Sequence, residues 1–236
     1  DLEDPQLFVR EVASLLDAES GLWVFEQSYL PLMLERMAFD TICHEHIEYY
    51  GLLQIAWLLE RAGMKIVDVE FNDVNGGSFS VVAAHRGARY QVASGAVEEA
   101  LRREQAQGLD GLAAYAEFNA GIEGACEQVK RFLAEARREG KRVCGIGAST
   151  KGNVLLQHCG LTAEDIECIG EINPDKFGAV TPGTWIPIED EAKVLASKPD
   201  FLLVLPWHFR ESFLANPAYR GQRLVFPLPS FEIVNT

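Results

Sequence analysis

Two histidines flank a glutamate, with two tyrosines close behind, in residues 39–52 (FDTICHEHIEYYGL). No other segment of the chain is so well equipped for chemistry. An imidazole titrates near neutral pH, and a carboxylate beside it can set its protonation and orientation. His46 with Glu45 therefore reads as a general base with its acid partner. His44 and His46, at spacing two, could share a metal on a strand. No third ligand stands near them, and the HExxH pattern is missing because Ile47 and Glu48 follow His46. A metal is accordingly not expected. A plainer reading stays open, in which this is a polar loop capping the helix that follows.

A second candidate is the turn from Gly145 through Gly147, Ser149, Lys151 and Gly152 to Asn153. A strand runs into it and a helix leaves it, and backbone amides at a helix N-terminus favour a phosphate. Lys151 and Ser149 add to that preference. The pattern is not a Walker A loop, since no Gly-Lys-Ser/Thr follows, and Thr150 stands where GxGxxG needs its third glycine. Tight helix–strand packing explains such glycines equally well. The third candidates are two loops expected at strand ends, residues 170–188 (GEINPDKFGAVTPGTWIPI) and 205–209 (LPWHF). Loops of this kind bind ligands in parallel α/β sheets. Asn173, Lys176 and Trp207 are the residues chosen there. Trp207 and His208 could stack on a base or sugar, although His208, His85 and His158 taken singly read as structural.

These residues need a frame. Residues 5–19 predict a helix with Leu7, Phe8, Val12, Leu15 and Leu16 on one face, and Pro5 in its first turn. A buried strand is expected at 21–27, a helix at 51–63 ending on Gly63, and a strand at 64–71. After the turn DVNGG, SFSVVAAH reads as its antiparallel partner. Residues 92–138 are helical and charged, and read as a helical linker. Strands at 141–149, 166–173, 201–207 and 224–229 then alternate with helices, which predicts a parallel, Rossmann-like α/β sheet. The division falls near residue 90, giving domains 1–90 and 91–236. Upstream of it, no strand with a glycine-rich turn and a following acidic ribose ligand occurs.

Composition narrows the partners. Of 236 residues, 35 are acidic and 21 basic, a formal charge of −14 with pI near 4.8. Such a surface repels nucleic acid, so an anionic ligand needs a local cationic or amide-lined pocket. No run of about 18 apolar residues suits a membrane span. The opening DLEDPQLF lacks the features of a signal peptide and an initiator Met, which suggests a chain beginning inside a longer protein. Five cysteines, an odd number without CxxC, predict reduced thiols in a cytoplasmic protein. Oligomeric state is left unspecified.

Taken in order, FDTICHEHIEYYGL, NGGSFSV, GIGASTKGNVLLQHCG, INPDKFGAVTPGTWIPI and LVLPWHF resemble the sugar C-methyltransferase family, SAM-dependent enzymes acting on nucleotide-linked sugars. The blocks span nearly the whole chain. The resemblance implies an α/β fold in which residues 1–90 are the C-terminal end of a class I methyltransferase sheet with its antiparallel hairpin. Residues 91–236 would then be the helical linker and the Rossmann-like substrate domain. It implies S-adenosylmethionine as cofactor in the full-length protein, on a glycine loop before residue 1, and zinc only in a further N-terminal domain. His46, with Glu45, would remove a proton beside a keto group so that the carbon attacks the methyl. His44, Tyr49, Tyr50 and the residues of the glycine turn and strand-end loops would hold a nucleotide-sugar. Family members carry a tyrosine near the position of Cys43 and a further site histidine upstream of the equivalent of Asp1. By itself the chain is expected to be inactive. Two other readings remain: a nucleotide-sugar binding module without catalysis, and an NAD-dependent oxidoreductase fragment that would use Glu171 for the ribose.

Overall fold

The computed structural model describes residues 2–236; Asp1, where the expected first domain begins, lies outside the described residues. The chain divides into two compact units. One comprises the residues up to Arg36 together with His44–Phe118; the other comprises Met37–Cys43 together with Asn119–Thr236.

The first unit opens with helix α1 (Pro5–Leu15), started by Asp4, whose Oδ1 accepts from the Leu7 amide at 2.8 Å. The expected helix to residue 19 stops early because Asp17 takes the amides of Glu19 and Ser20 on its own carboxylate. Such local side-chain bonds compete with helix. Only Val9 and Ala13 of α1 are buried, whereas Leu15 points outward. Strand β1 (Trp23–Ser28) follows, then the short helix α2 (Leu30–Glu35) and helix α3 (Leu52–Arg61). Strands β2 (Met64–Asn72) and β3 (Ser78–His85) form the expected antiparallel hairpin. The sheet order is β1-β3-β2, antiparallel throughout, so among the described residues β1 is an edge. Helix α4 (Ser94–Gln107) packs on β2 and α3. Tyr29, Leu52, Leu59, Met64, Phe79, Val81 and Ala83 form the core between helices and sheet. Each large side chain buried there contributes about 1.5–3 kcal/mol.

Helix α5 (Ala113–Arg138) begins in the first unit and continues into the second. There β4 (Val143–Ile146), helix α6 (Thr150–His158), β5 (Ile169–Glu171), β6 (Ile188–Asp190), helix α7 (Glu191–Ala196), β7 (Phe201–Val204), helix α8 (Arg210–Ala215), β8 (Arg223–Phe226) and β9 (Glu232–Asn235) complete the chain. The sheet order is β6-β5-β4-β7-β8-β9, parallel except for β9. The parallel α/β sheet is as expected, and two strands are additional. β6 lies inside the segment read as a loop, and its three residues are too few to show a period. β9 is an antiparallel edge.

The expectation of five reduced thiols is corrected. Cys126 on α5 and Cys159 just after α6 form a disulfide across 33 residues, with Cα atoms 5.1 Å apart. Two helix faces bring them together, which a linear spacing does not disclose. Cys144 of β4 and Cys168, just before β5, are buried thiols, as expected of small core residues.

The β2–β3 turn gives a stability prediction. Gly77 has φ +135°, and a Cβ there would lie 2.7 Å from Leu32 Cβ. Gly77→Ala is expected to lower stability by about 1–3 kcal/mol, measured by urea denaturation of the chain. An unchanged midpoint would contradict this account of the turn.

Candidate functional site

In the first unit, residues 44–49 are irregular backbone leading into α3. His44 and Glu45 are exposed, with Nε2 and Oε1 3.9 Å apart, and His46 is half-buried. Tyr50 donates its hydroxyl hydrogen to the Glu48 carboxylate. Burial first, and Glu48 second, push the Tyr50 phenol up from its ordinary range. The Tyr50 carbonyl accepts from the Leu30 amide at 2.9 Å, tying the segment's end to α2. Tyr49 is half-buried, with its hydroxyl oxygen shielded from water. Beside Glu48 and Tyr50 opens a cavity of about 460 Å³, lined also by Asp4, Gln54 and Trp57, a volume in the range of small-ligand sites.

The cap of α3 bears on the plainer reading of this segment. Gln54 Oε1 accepts from the Gly51 amide at 2.9 Å, and Glu104 of α4 accepts from Leu52 at 2.5 Å and Leu53 at 3.0 Å. Helix starts need such acceptors. They come here from within α3 and from α4, and the histidines and Glu45 are not among them. Glu104 went unnoticed in the sequence because it sits among many charged helix residues; no local pattern marks it as buried.

In the second unit the chain order reverses between β4 and β7, the place where an open α/β sheet leaves a crevice at its strand ends. The glycine turn follows β4 and Trp207 follows β7, so these two sequence candidates do come to the same end of the sheet. Packing alone accounts for the glycines. A Cβ on Gly145 would meet Ile169 Cγ1 at 3.0 Å. On Gly147 (φ +84°) it would meet Pro206 Cδ at 2.7 Å. Ser149 caps α6, accepting from the Gly152 amide at 3.0 Å. Asn173 likewise caps a short 3-10 turn, accepting from Asp175. Lys176 donates to the Ala148 carbonyl at 2.8 Å and to Glu171 at 3.3 Å, stitching the glycine turn to the end of β5. Asn153 Oδ1 is buried without a hydrogen-bond partner.

Glu171 stands at the end of β5, where a ribose ligand would be sought. Its Oε1 accepts from the amides of Ile172 and Asn173. Burial alone would raise its pKa; those amides and Lys176 outweigh it and hold the carboxyl below its usual range. A ribose hydroxyl would have to compete with them.

Trp207 is buried, and its indole Nε1 donates to Asp40 Oδ2 at 2.8 Å. Asp40 belongs to the stretch Met37–Cys43 that this unit takes in, and it is 1% exposed. Burial pushes its carboxyl up, against the opposing pull of Lys151 and Trp207. Burial likewise pushes Lys151 down, against Asp40 and Cys43. The sequence carried a faint signal for Asp40, an acid directly after the apolar pair Ala38-Phe39. Among the described residues, no three His, Cys, Asp or Glu side chains gather as a metal-binding group.

Residues 73–229 match a family described as the C-methyltransferase C-terminal domain. Over 225 residues the chain is 35% identical to C-methyltransferase NovU of Streptomyces niveus, an alignment covering 94% of this chain and 53% of that protein. The chain thus spans about half the length of the curated relative it matches.

Half-buried His208 gives a pH prediction. Burial first, and Lys151 second, lower its pKa from 6.5 to about 4. The unfolded chain therefore binds more protons between these values, and stability falls as pH drops from 6.5 towards 4. His208→Asn should flatten that part of the thermal-melting profile; an equal slope in both proteins would count against it.

Proposed function

Because the chain belongs to the C-methyltransferase family, matching its C-terminal domain, we propose that it forms the C-terminal portion of an S-adenosylmethionine-dependent enzyme that methylates a carbon of a keto nucleotide-sugar. His46 takes the proton from the carbon beside the keto group, and the electron pair left behind is delocalised as an enolate. Glu45 orients that base or bonds a sugar hydroxyl. His44, Tyr49 and Tyr50 line the sugar's surroundings. The nucleotide-sugar's anionic part lies at Gly145, Gly147, Ser149, Lys151 and Asn153, with Asn173, Lys176 and Trp207 bordering it.

One observation supports the base assignment above the others. The segment holding His46 is irregular backbone whose far end is fixed twice, by the Leu30–Tyr50 hydrogen bond and by the Glu104 cap of α3. A base on a loop with a rigid support can reach a substrate and keep its aim.

The described residues do not fit an S-adenosylmethionine cradle. The first unit's sheet is antiparallel throughout and so has no switch point. In the second, Glu171 at the end of β5 already accepts from the Ile172 and Asn173 amides and from Lys176, where a cofactor ribose would need it. The cradle is therefore assigned to residues outside this chain, next to residues 1–90, as is any zinc-binding domain. When bound, the cofactor supplies an electrophilic methyl group. Among the described residues no helix is long and apolar enough to cross a membrane. With a nucleotide-linked substrate the protein is placed in the cytoplasm, and neither nucleic acid nor membrane is expected as a partner.

Two measurements test this reading. In the full-length protein, His46→Ala is expected to reduce methyl transfer by about 10²–10⁴-fold while nucleotide-sugar binding persists. Exchange of solvent deuterium into the substrate carbon should be lost with it. The 236-residue chain alone is expected to transfer no methyl group, and product from the isolated chain would refute its dependence on an outside cofactor domain.

A further inference from the structure

Asp40 has no place in the proposed proton transfer, yet the second unit is built around it. Before Asn119 the chain contributes to this unit through Met37–Cys43 alone. Met37 enters with φ 54°, a left-handed conformation disfavoured for a bulky residue. Its thioether lies where a Cβ on Gly121 of α5 would be. Residues 39–41 form a 3-10 turn packed on α6, with the Phe39 ring 5.4 Å from that of His158. So short an excursion, with a strained entry, is held by its contacts rather than by its own propensity.

What the excursion delivers is a carboxylate. A buried, ionised group is costly unless neighbours compensate it. Asp40 Oδ2 accepts from the Trp207 indole at 2.8 Å. Oδ1 is buried and makes no hydrogen bond of good geometry, although the amides of Asp40 and Thr41 lean on the carboxylate. Lys151, in the first turn of α6, acts electrostatically on this carboxylate, feels Cys43 as well, and lowers the pKa of His208. Replacing Asp40 by an apolar residue would serve packing better, so a role beyond packing is indicated.

We propose that Asp40 is the positioning residue of this crevice, its buried carboxylate fixing the Trp207 indole and setting a negative charge near the start of α6, where Lys151 and the first-turn amides would meet the diphosphate of a nucleotide ligand. The proposal rests on the nucleotide-sugar reading given above. A half-buried lysine tends to lose its proton, and a neutral amine binds a diphosphate poorly. The buried carboxylate counters that tendency. The indole bond, for its part, stops the loop after β7 from rotating away from the glycine turn.

Two variants separate the two roles. Asp40→Asn removes the charge but leaves an oxygen to accept from Trp207; Trp207→Phe keeps the ring and removes the donor. In the ligand-free chain, the lysines are reductively methylated with ¹³C and followed by NMR against pH, with Lys151→Arg assigning the signal. The Lys151 midpoint should fall by about one unit or more in Asp40→Asn and stay unchanged in Trp207→Phe. Equal midpoints in wild type and Asp40→Asn overturn the charge role. Calorimetric titration with UDP and dTDP then reads the ligand. Affinity should drop about tenfold in each variant, and in Asp40→Asn the loss should grow as pH rises. Wild-type affinity in both variants overturns the positioning role. If wild type itself binds neither nucleotide, the nucleotide-sugar reading and the ligand part of this proposal fall together, whereas the lysine midpoints judge Asp40 independently.

Discussion

A single hydrogen bond, from the Trp207 indole to the buried Asp40 carboxylate, joins residues separated by 167 positions. Much of the sheet end where β4 and β7 finish depends on it. Trp207 lies in the loop after β7, and Pro206 before it packs on Gly147 after β4. The indole bond therefore pins the loop whose neighbour closes on the glycine turn. The Phe39–Thr41 turn that carries this carboxylate packs on α6, whose first turn carries Lys151. Removing the acid would release the loop after β7 from that turn.

The glycine turn shows why close packing and ligand binding are not alternatives here. Gly147 lets β4 pass against Pro206, and Gly152 lets α6 approach Leu205, where a Cβ would come within 2.9 Å. Both close approaches set the start of α6, which Ser149 then caps. An amide-lined helix start is useful to an anion only if its position is fixed. The packing that explains the glycines is also what would make the turn a usable receptor.

Much of this was legible in the sequence, and the remainder was hidden for physical reasons. Strands β2, β3, β4, β7 and β8 announced themselves through alternation or apolar runs, and the succession of strands and helices after residue 141 gave the α/β class. β6 was unreadable because three residues between prolines and acids carry no periodicity. α1 was overextended because no local breaker follows the apolar pair Leu15-Leu16, while the side chain of Asp17 had a better use for the amides of Glu19 and Ser20. The FDTICHEHIEYYGL segment stood out in the sequence by its histidines, but its anchors did not. Asp40 and Glu104 both act through tertiary contacts more than 50 residues away, and no local pattern encodes such a partner. The Cys126–Cys159 pair was missed for the same reason.

A chain of net charge −14 that is to hold an anion faces a conflict, since its long-range field repels what its local site must attract. Exposed lysines do little against such a field because water and salt screen them. Partial burial strengthens a lysine's local attraction but also favours its neutral form. Lys176 is kept in place by the Ala148 carbonyl and Glu171, and Lys65 of β2 by the carbonyls of Ala88 and Tyr90. Lys151 is the one at the start of α6, and the acid in its field is the most buried carboxylate in the described chain. On the reading proposed above, an extra negative charge buried in an acidic protein serves anion binding: it would oppose the loss of a proton from Lys151 while being too deep to meet the anion itself.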